Sequence, residues 1–355
     1  MVTALKTSIN ILLVFLFAAC TSVPDERMTP YVDFPETREL TARTLSLDSA
    51  LFRYPYRVRV QDDKAVVLDL HGTEYFFHAF HYPGFHYLSS FGKRGDAPEE
   101  MLSAENLRWN GNFLWTLDSN KSELTRLGFA SSGDSLLRLE AVSLDEELLR
   151  VLDFVQYDDS TFIIPDYSGD SRFCLVSRQG KLLHKIGTIP TTDEDALKNA
   201  HPALAQAWRS FIDYNPRNGV LAAVTQLGEV LEIYNLKDST HIVRIGPNGE
   251  PEFQISQGYG IPTGIMGFSD IQVTDSAIYV VFQGRAFKDI MQKAQQGINL
   301  PDGGQNIYVF SLEGKPLRKY VLDHYIHGIS VDEQKGIIIA TDVNKDEPII
   351  EYKLL

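Results

Sequence analysis

Six times along the chain, a stretch alternating apolar and polar residues runs into a tight polar turn and then into an almost unbroken apolar run. The segments are YRVRVQDDKAVVLDL, ENLRWNGNFLWTLD, LDFVQYDDSTFIIPDY, SFIDYNPRNGVLAAVTQ, SDIQVTDSAIYVVFQ and HGISVDEQKGIIIATD. The last apolar residue before each turn is Val60, Trp109, Tyr157, Tyr214, Val273 or Val331, so the unit recurs every 48 to 59 residues. Period-two alternation marks a strand with one polar face, and a continuous apolar run marks a strand buried on both faces. Asp, Asn and Gly fill the turns because they tolerate the positive φ that short hairpins need. The runs Val66 to Leu68, Phe113 to Leu117, Phe162 to Ile164, Val220 to Val224, Ile278 to Phe282 and Ile337 to Ile339 are the predicted core strands.

Several units continue into a second hairpin, most clearly RFCLVSRQGKLLHKIG, VLEIYNLKDSTHIVRIG and NIYVFSLEGKPLRKYVLD. Their last strands are more charged, as solvent-facing edges should be. The sixth unit stops after PIIEYKLL, one strand short. The extended segment RELTARTLSLD, residues 38 to 48, has no unit of its own and is predicted to pair beside Ile349 to Leu354. A repeat of this length points to a toroid of sheets. The expected fold is all-β: a six-bladed β-propeller closed by an N-terminal strand, with short helical insertions. The insertions are residues 193 to 208, with Thr192 and Asp195 at capping-box spacing, and residues 285 to 296, with Phe287, Ile290, Met291 and Ala294 on one face.

ILLVFLFAAC, residues 11 to 20, follows Lys6 and is short for a membrane span but suits a signal-peptide core. Phe17-Ala18-Ala19-Cys20 resembles the bacterial lipobox, with Phe17 where leucine is usual. That resemblance implies lipidation at Cys20; an ordinary cleaved signal peptide is the alternative. The implied division is a lipoprotein signal peptide at 1–19, a lipidated tether at 20–37 and the propeller at 38–355. Cys174 is then the only thiol of the mature chain besides the anchor, so no internal disulfide forms. With 33 Lys and Arg against 47 Asp and Glu, and Lys6 removed, the mature charge is −15, which argues against nucleic acid as a partner. A monomer in the bacterial cell envelope is expected, anchored to the outer membrane and facing the periplasm or the exterior.

The chain resembles the TolB-like six-bladed β-propeller lipoproteins. The resemblance rests on Cys20, on FGKRGDAPEE (Phe91 to Glu100), on the helical insertions and on the last blade, HGISVDEQKGIIIATD to IIEYKLL. Related propellers carry a Gly-Lys-Arg-Gly-x-x-Pro-x-Glu turn; here Asp96-Ala97 replaces a polar-glycine pair, and Glu99 stands where a second glycine is common. The resemblance implies a binding or scaffolding role and carries over no catalytic residues.

Other chemistry is weak. His71, His78, His81 and His86 cluster, but an odd spacing puts His78 and His81 on opposite faces of one strand, so no metal site is assigned. Gly133-Asp134-Ser135 lies in a hairpin turn and lacks the strand-turn-helix setting of a nucleophile. Cys174 reads as a core residue. No cofactor is implied. The ligand-binding candidates are Tyr259 and Met266, in the Gly-rich loop GYGIPTGIMG, and Arg285 at the start of the second insertion. For Arg285 a solvated helix start is the competing reading. The leading expectation is a lipid-anchored module that binds a protein, peptide or glycan. The alternative is a lactonase-like hydrolase or lyase with a channel metal on Asp153, Asp213, Asp270 and His327; a purely structural envelope component is a third possibility.

Overall fold

The computed structural model describes residues 28–47, 52–131 and 133–354. Cys20 and the apolar run before it lie outside the described residues. Six antiparallel sheets surround a central channel. Their first, innermost strands are Pro55–Gln61, Ala104–Asn110, Val155–Asp158, Ser210–Asn215, Phe268–Val273 and Ile329–Asp332. The second strands are Lys64–Asp69, Phe113–Asp118, Thr161–Pro165, Val220–Thr225, Ala277–Phe282 and Ile337–Thr341. We number these sheets blades 1 to 6 in chain order.

The second strands are the apolar runs of the sequence. Val220–Thr225 and Ala277–Phe282 are buried at every position, because each lies between the neighbouring blades. Phe113 departs from its expected burial: it opens its strand at the hairpin end and is 40% exposed. A separate apolar cluster fills each gap between blades, and the ring closes where Val58, Val67 and Phe80 of blade 1 meet Ile339 and Ile349 of blade 6. A ring built this way distributes its core over six interfaces, so chain length does not force a second domain.

The N-terminal segment does more than close the sixth blade. Arg43–Thr44 pairs antiparallel with Ile350 and Glu351, supplying the missing fourth strand. The Leu45 amide donates to the Ile349 carbonyl, and Arg43 grips the Glu351 carboxylate. The expected pairing is therefore present but short, because the chain crosses to the next blade upstream of it. Thr37–Leu40 runs parallel to Lys319–Leu322 on the outer strand of blade 5. Met28–Pro30 runs parallel to Val243–Ile245 on the outer strand of blade 4. Among the described residues, pairing with the propeller is thus already present at Met28, upstream of Arg38. Three outer edges, each otherwise a row of open backbone donors and acceptors, are covered by one continuous belt. Tyr31 and Phe34 pin it down, packing against Phe310 and Tyr308 of blade 5.

Both helical insertions form. The first splits into α1, Glu194–Asn199, and α2, His201–Ala207. The cap of α1 is Asp193, whose carboxylate accepts from the Ala196 amide at 2.9 Å, one residue downstream of the Thr192 read from the sequence. Thr192 instead binds Glu250. Ala196 and Leu204 are buried against Val230 and Val243 of blade 4, and Ala200 packs beside them. The second insertion forms α3, Phe287–Gln295, none of whose residues is buried.

Cys174 lies inside the core between blades 2 and 3. Burial, reinforced by the nearby Asp166 carboxylate, pushes its thiol up to about 12. A thiolate is the nucleophile, so this thiol should be inert. An aromatic disulfide reagent at pH 8 is expected to label it only after denaturation; stoichiometric labelling of the native protein within minutes would contradict this placement. The histidines remain apart in function: His78 bonds Ser90, His81 lies beside Asp63, and His71 is exposed at the channel mouth. Gly133 and Ser135 belong to a hairpin turn, with the Gly133 amide donating to Ala130.

Candidate functional site at one mouth of the channel

Polar positions on the innermost strands face the channel, and the structure fills them with arginine and aspartate. Asp270 of blade 5 is fully buried between Arg57 and Arg59 of blade 1, at 3.1 and 2.7 Å. Arg108 of blade 2 bridges Asp153 at 3.0 Å and Asp213 at 2.7 Å. The same carboxylates clasp successive blades through backbone amides: Asp153 accepts from Ile212, Asp213 from Val273 and Asp270 from Ile329. In blade 6 the Ser330 hydroxyl takes this role, accepting from the Val60 amide.

Burial drives the Asp270 carboxyl up, but the two guanidiniums together outweigh it and hold the group down at about 2. Asp213 shares its arginine with Asp153, and there burial prevails and raises the carboxyl. These aspartates spend their lone pairs on arginines and amides. His327, the fourth metal-ligand candidate, lies apart from them, bonded to Tyr54 and facing Asp302 at 3.3 Å. The His327 contact, with help from Tyr54, holds the Asp302 carboxyl well below the usual range. The four candidate ligands therefore act as blade clasps and a loop tie, which the sequence could not distinguish from a channel metal set. Among the described residues, no three His, Cys, Asp or Glu side chains form a metal-binding cluster.

The channel opens differently at its two ends. At the hairpin end, a cavity of about 290 Å³ has both of its cations paired, Arg217 with Asp275 and Lys335 with Asp332, and is also lined by Asp62 and Glu333. At the end where the innermost strands begin, a cavity of about 590 Å³ is lined by Tyr54, Tyr56, Phe211, Arg150, Arg209 and Gln226. Arg150, Arg209 and Gln226 also line an adjoining cavity of about 350 Å³, whose outer wall is Tyr259 to Pro262. Glu105 and Asp302 also line the larger cavity, where Glu105 accepts from Ser103 and Ser119 and Asp302 accepts from Tyr54.

Neither Arg150 nor Arg209 has an ion-pair partner among the described residues, and Arg209 Nε is buried without a hydrogen bond. Arg150 is placed by the connection from blade 2 to blade 3, in a positive-φ conformation. Arg209 follows α2 and leads into blade 4.

Of the three candidates from the sequence, Tyr259 belongs to this mouth. It lies in the hairpin Phe253–Ser256 with Tyr259–Pro262, and is 58% exposed. Gly260 lets that hairpin lie on α2, since a Cβ there would stand 2.5 Å from the Ala203 carbonyl. Met266 and Arg285 sit further round, where the Met266 amide donates to the Arg285 carbonyl. The Arg285 guanidinium is spent on the carbonyls of Pro301 and Gly303 and stacks towards Tyr325. It fixes the loop that carries Asp302. Arg150 and Arg209 were missed by sequence reasoning, because nothing local distinguishes them from solvated charges.

A family described as TolB-like 6-blade propeller-like matches residues 33–334. No curated protein matches the chain. A Bacteroides fragilis structure described as an exported protein aligns with a TM-score of 0.58 at 11% identity, covering 92% of this chain and 98% of that one. An auxiliary nutrient binding protein from Bacteroides ovatus aligns with a TM-score of 0.54 at 9% identity, covering 89% of this chain and 76% of that one. Likeness at such identity speaks for the fold alone.

Proposed function

Because the chain belongs to the TolB-like six-bladed propeller family, we propose that it is a cell-envelope binding module, anchored by lipid at Cys20, that takes a protein, peptide or glycan ligand at the Tyr259 mouth of its channel. The observation that carries this reading is the contrast between the two ends. The cations at the hairpin end and inside the channel are paired with carboxylates, whereas the Tyr259 mouth presents aromatic rings and guanidiniums without an ion-pair partner among the described residues. Pockets with apolar walls and a few converging polar groups are the usual form of a ligand site. The exported and nutrient-binding descriptions of the Bacteroides neighbours agree with an extracytoplasmic binding role. Among the described residues no helix is long and apolar enough to cross a membrane.

Two measurements test this. Radiolabelled palmitate should enter the wild-type protein in a bacterial host and be absent from Cys20→Ser; equal labelling would remove the anchor. Pull-downs from envelope extracts should lose the bound material when Tyr259→Ala and Arg209→Ala are combined, and keep it when Arg217→Ala alters the opposite end. Identical recovery from all variants would remove the mouth as the binding site.

A further inference from the structure

The chemistry of the mouth narrows the ligand, on the premise that this mouth is the binding site. In a chain of net charge −14, most cations at the mouths and in the channel are matched by carboxylates, so two adjacent unmatched arginines are unusual. The smaller cavity contains Arg150 and Arg209 and no acidic residue. Neither guanidinium has a carboxylate partner among the described residues, and an anion arriving in the cavity would supply charge-assisted acceptors to both. The planar fork of arginine fits a carboxylate.

The remaining walls favour a ring-shaped polyhydroxylated body. Tyr259 and Ile261 alternate with Gly260 along one strand and so present one face beside the arginines. Gln206 spends its carbonyl on the Gly260 amide, which leaves its amide hydrogens free to donate. Gln226 adds a second amide at the shared wall. Tyr54 and Tyr56, stacked 6.1 Å apart, continue the aromatic surface into the larger cavity. Aromatic faces for C–H edges, amides for hydroxyls and an arginine pair for a carboxylate are together the complement of an acidic sugar.

We propose that this mouth binds a uronic-acid saccharide, its carboxylate held between Arg150 and Arg209 and its ring lying on Tyr259. The two cavities share a wall, so a second sugar unit extends from the first toward Tyr54 and Tyr56.

Titration calorimetry of the purified propeller with trigalacturonate and triglucuronate tests this, with maltotriose and a short peptide bearing a free C-terminal carboxylate as comparison probes. At least one uronate should bind, more weakly as salt rises, and maltotriose should not. Arg150→Ala and Arg209→Ala should each weaken binding by roughly tenfold or more, the loss expected for one charge-assisted contact. Arg150 is exposed, so its variant folds even if Arg209→Ala does not; matched circular dichroism and melting curves establish this. Binding of maltotriose with equal affinity, sensitive to Tyr259→Ala, would overturn the acidic class while preserving the mouth as the site. Preference for the peptide would overturn the saccharide. Failure of both uronates to bind would overturn the inference outright, while the pull-down still judges the mouth independently.

Discussion

Replacing Asp270 with alanine should destabilise the protein by about 3–5 kcal/mol, the usual cost of removing one partner from a buried ion pair. The carboxylate answers both Arg57 and Arg59 and also accepts the Ile329 amide, so its loss strands two buried cations and unfastens blade 5 from blade 6. Arg57 and Arg59 cannot swing to water, since Arg57 is fully buried and Arg59 is 7% exposed. Urea denaturation gives the difference directly, and a loss below about 1 kcal/mol would show that the channel relaxes around the change. Asp270→Asn keeps an acceptor for Ile329 and should fall between wild type and Asp270→Ala. The pH dependence has a definite sign. Because the folded carboxyl is depressed from 3.8 to about 2, its stabilisation is complete above 3.8 and is lost as the pH falls through 2. In Asp270→Asn the acid-side fall in stability across that window should flatten.

Removing the belt should have an effect of similar size and a different character. Phe34 is 8% exposed, with ring centroids 4.6 Å from Tyr308 and 5.2 Å from Phe310. Phe34→Ala is expected to cost about 3–5 kcal/mol, the range for deleting a buried phenylalanine ring. Truncation to residue 52 goes further, because it uncovers the outer strands of blades 4, 5 and 6 together. Open strand edges template pairing with other chains, so the truncated protein should elute as oligomers or aggregates in size-exclusion chromatography with light scattering. Phe34→Ala, which keeps the edges covered, should remain monomeric though less stable. A monomeric, stable truncation would show that the blades tolerate bare edges.

The fold was readable because its strongest signal is local. An apolar run such as VLAAV, residues 220 to 224, is buried on both faces in the structure as its pattern demands. Where the pattern alone decided, small errors followed: Phe113 continues an apolar run, yet it sits at the open end of its strand. At α1 both Thr192 and Asp193 have capping chemistry, and only the position of Glu250 decides between them. The pairing of Met28–Pro30 and Thr37–Leu40 with blades 4 and 5 could not be read. Parallel pairing at an outer edge imposes no alternation, and its partners lie about 200 to 300 residues away.

The site was less legible than the fold. Glycines at 258, 260 and 264 made the Tyr259 loop conspicuous. Nothing in the sequence around Arg150 or Arg209 tells that both reach one cavity, since one arrives by an inter-blade connection and the other by α2. Arg57, Arg59 and Arg108 were visible as polar positions of alternating strands, but their aspartate partners sit one or two blades away around the ring. Arg285 shows the converse. Its setting after Gly284 suggested an outward reach, and its guanidinium instead ties down the loop at Pro301 and Gly303.

The order in which the belt docks also sets how the molecule bears mechanical load. Tension applied upstream of Met28 meets the blade 4 pairing first, then blade 5, and reaches Arg43 and Thr44 only after both have peeled away. The joint that completes the ring is therefore the last to feel strain. A pull applied ahead of Met28 is absorbed by two sacrificial seams while the toroid stays shut.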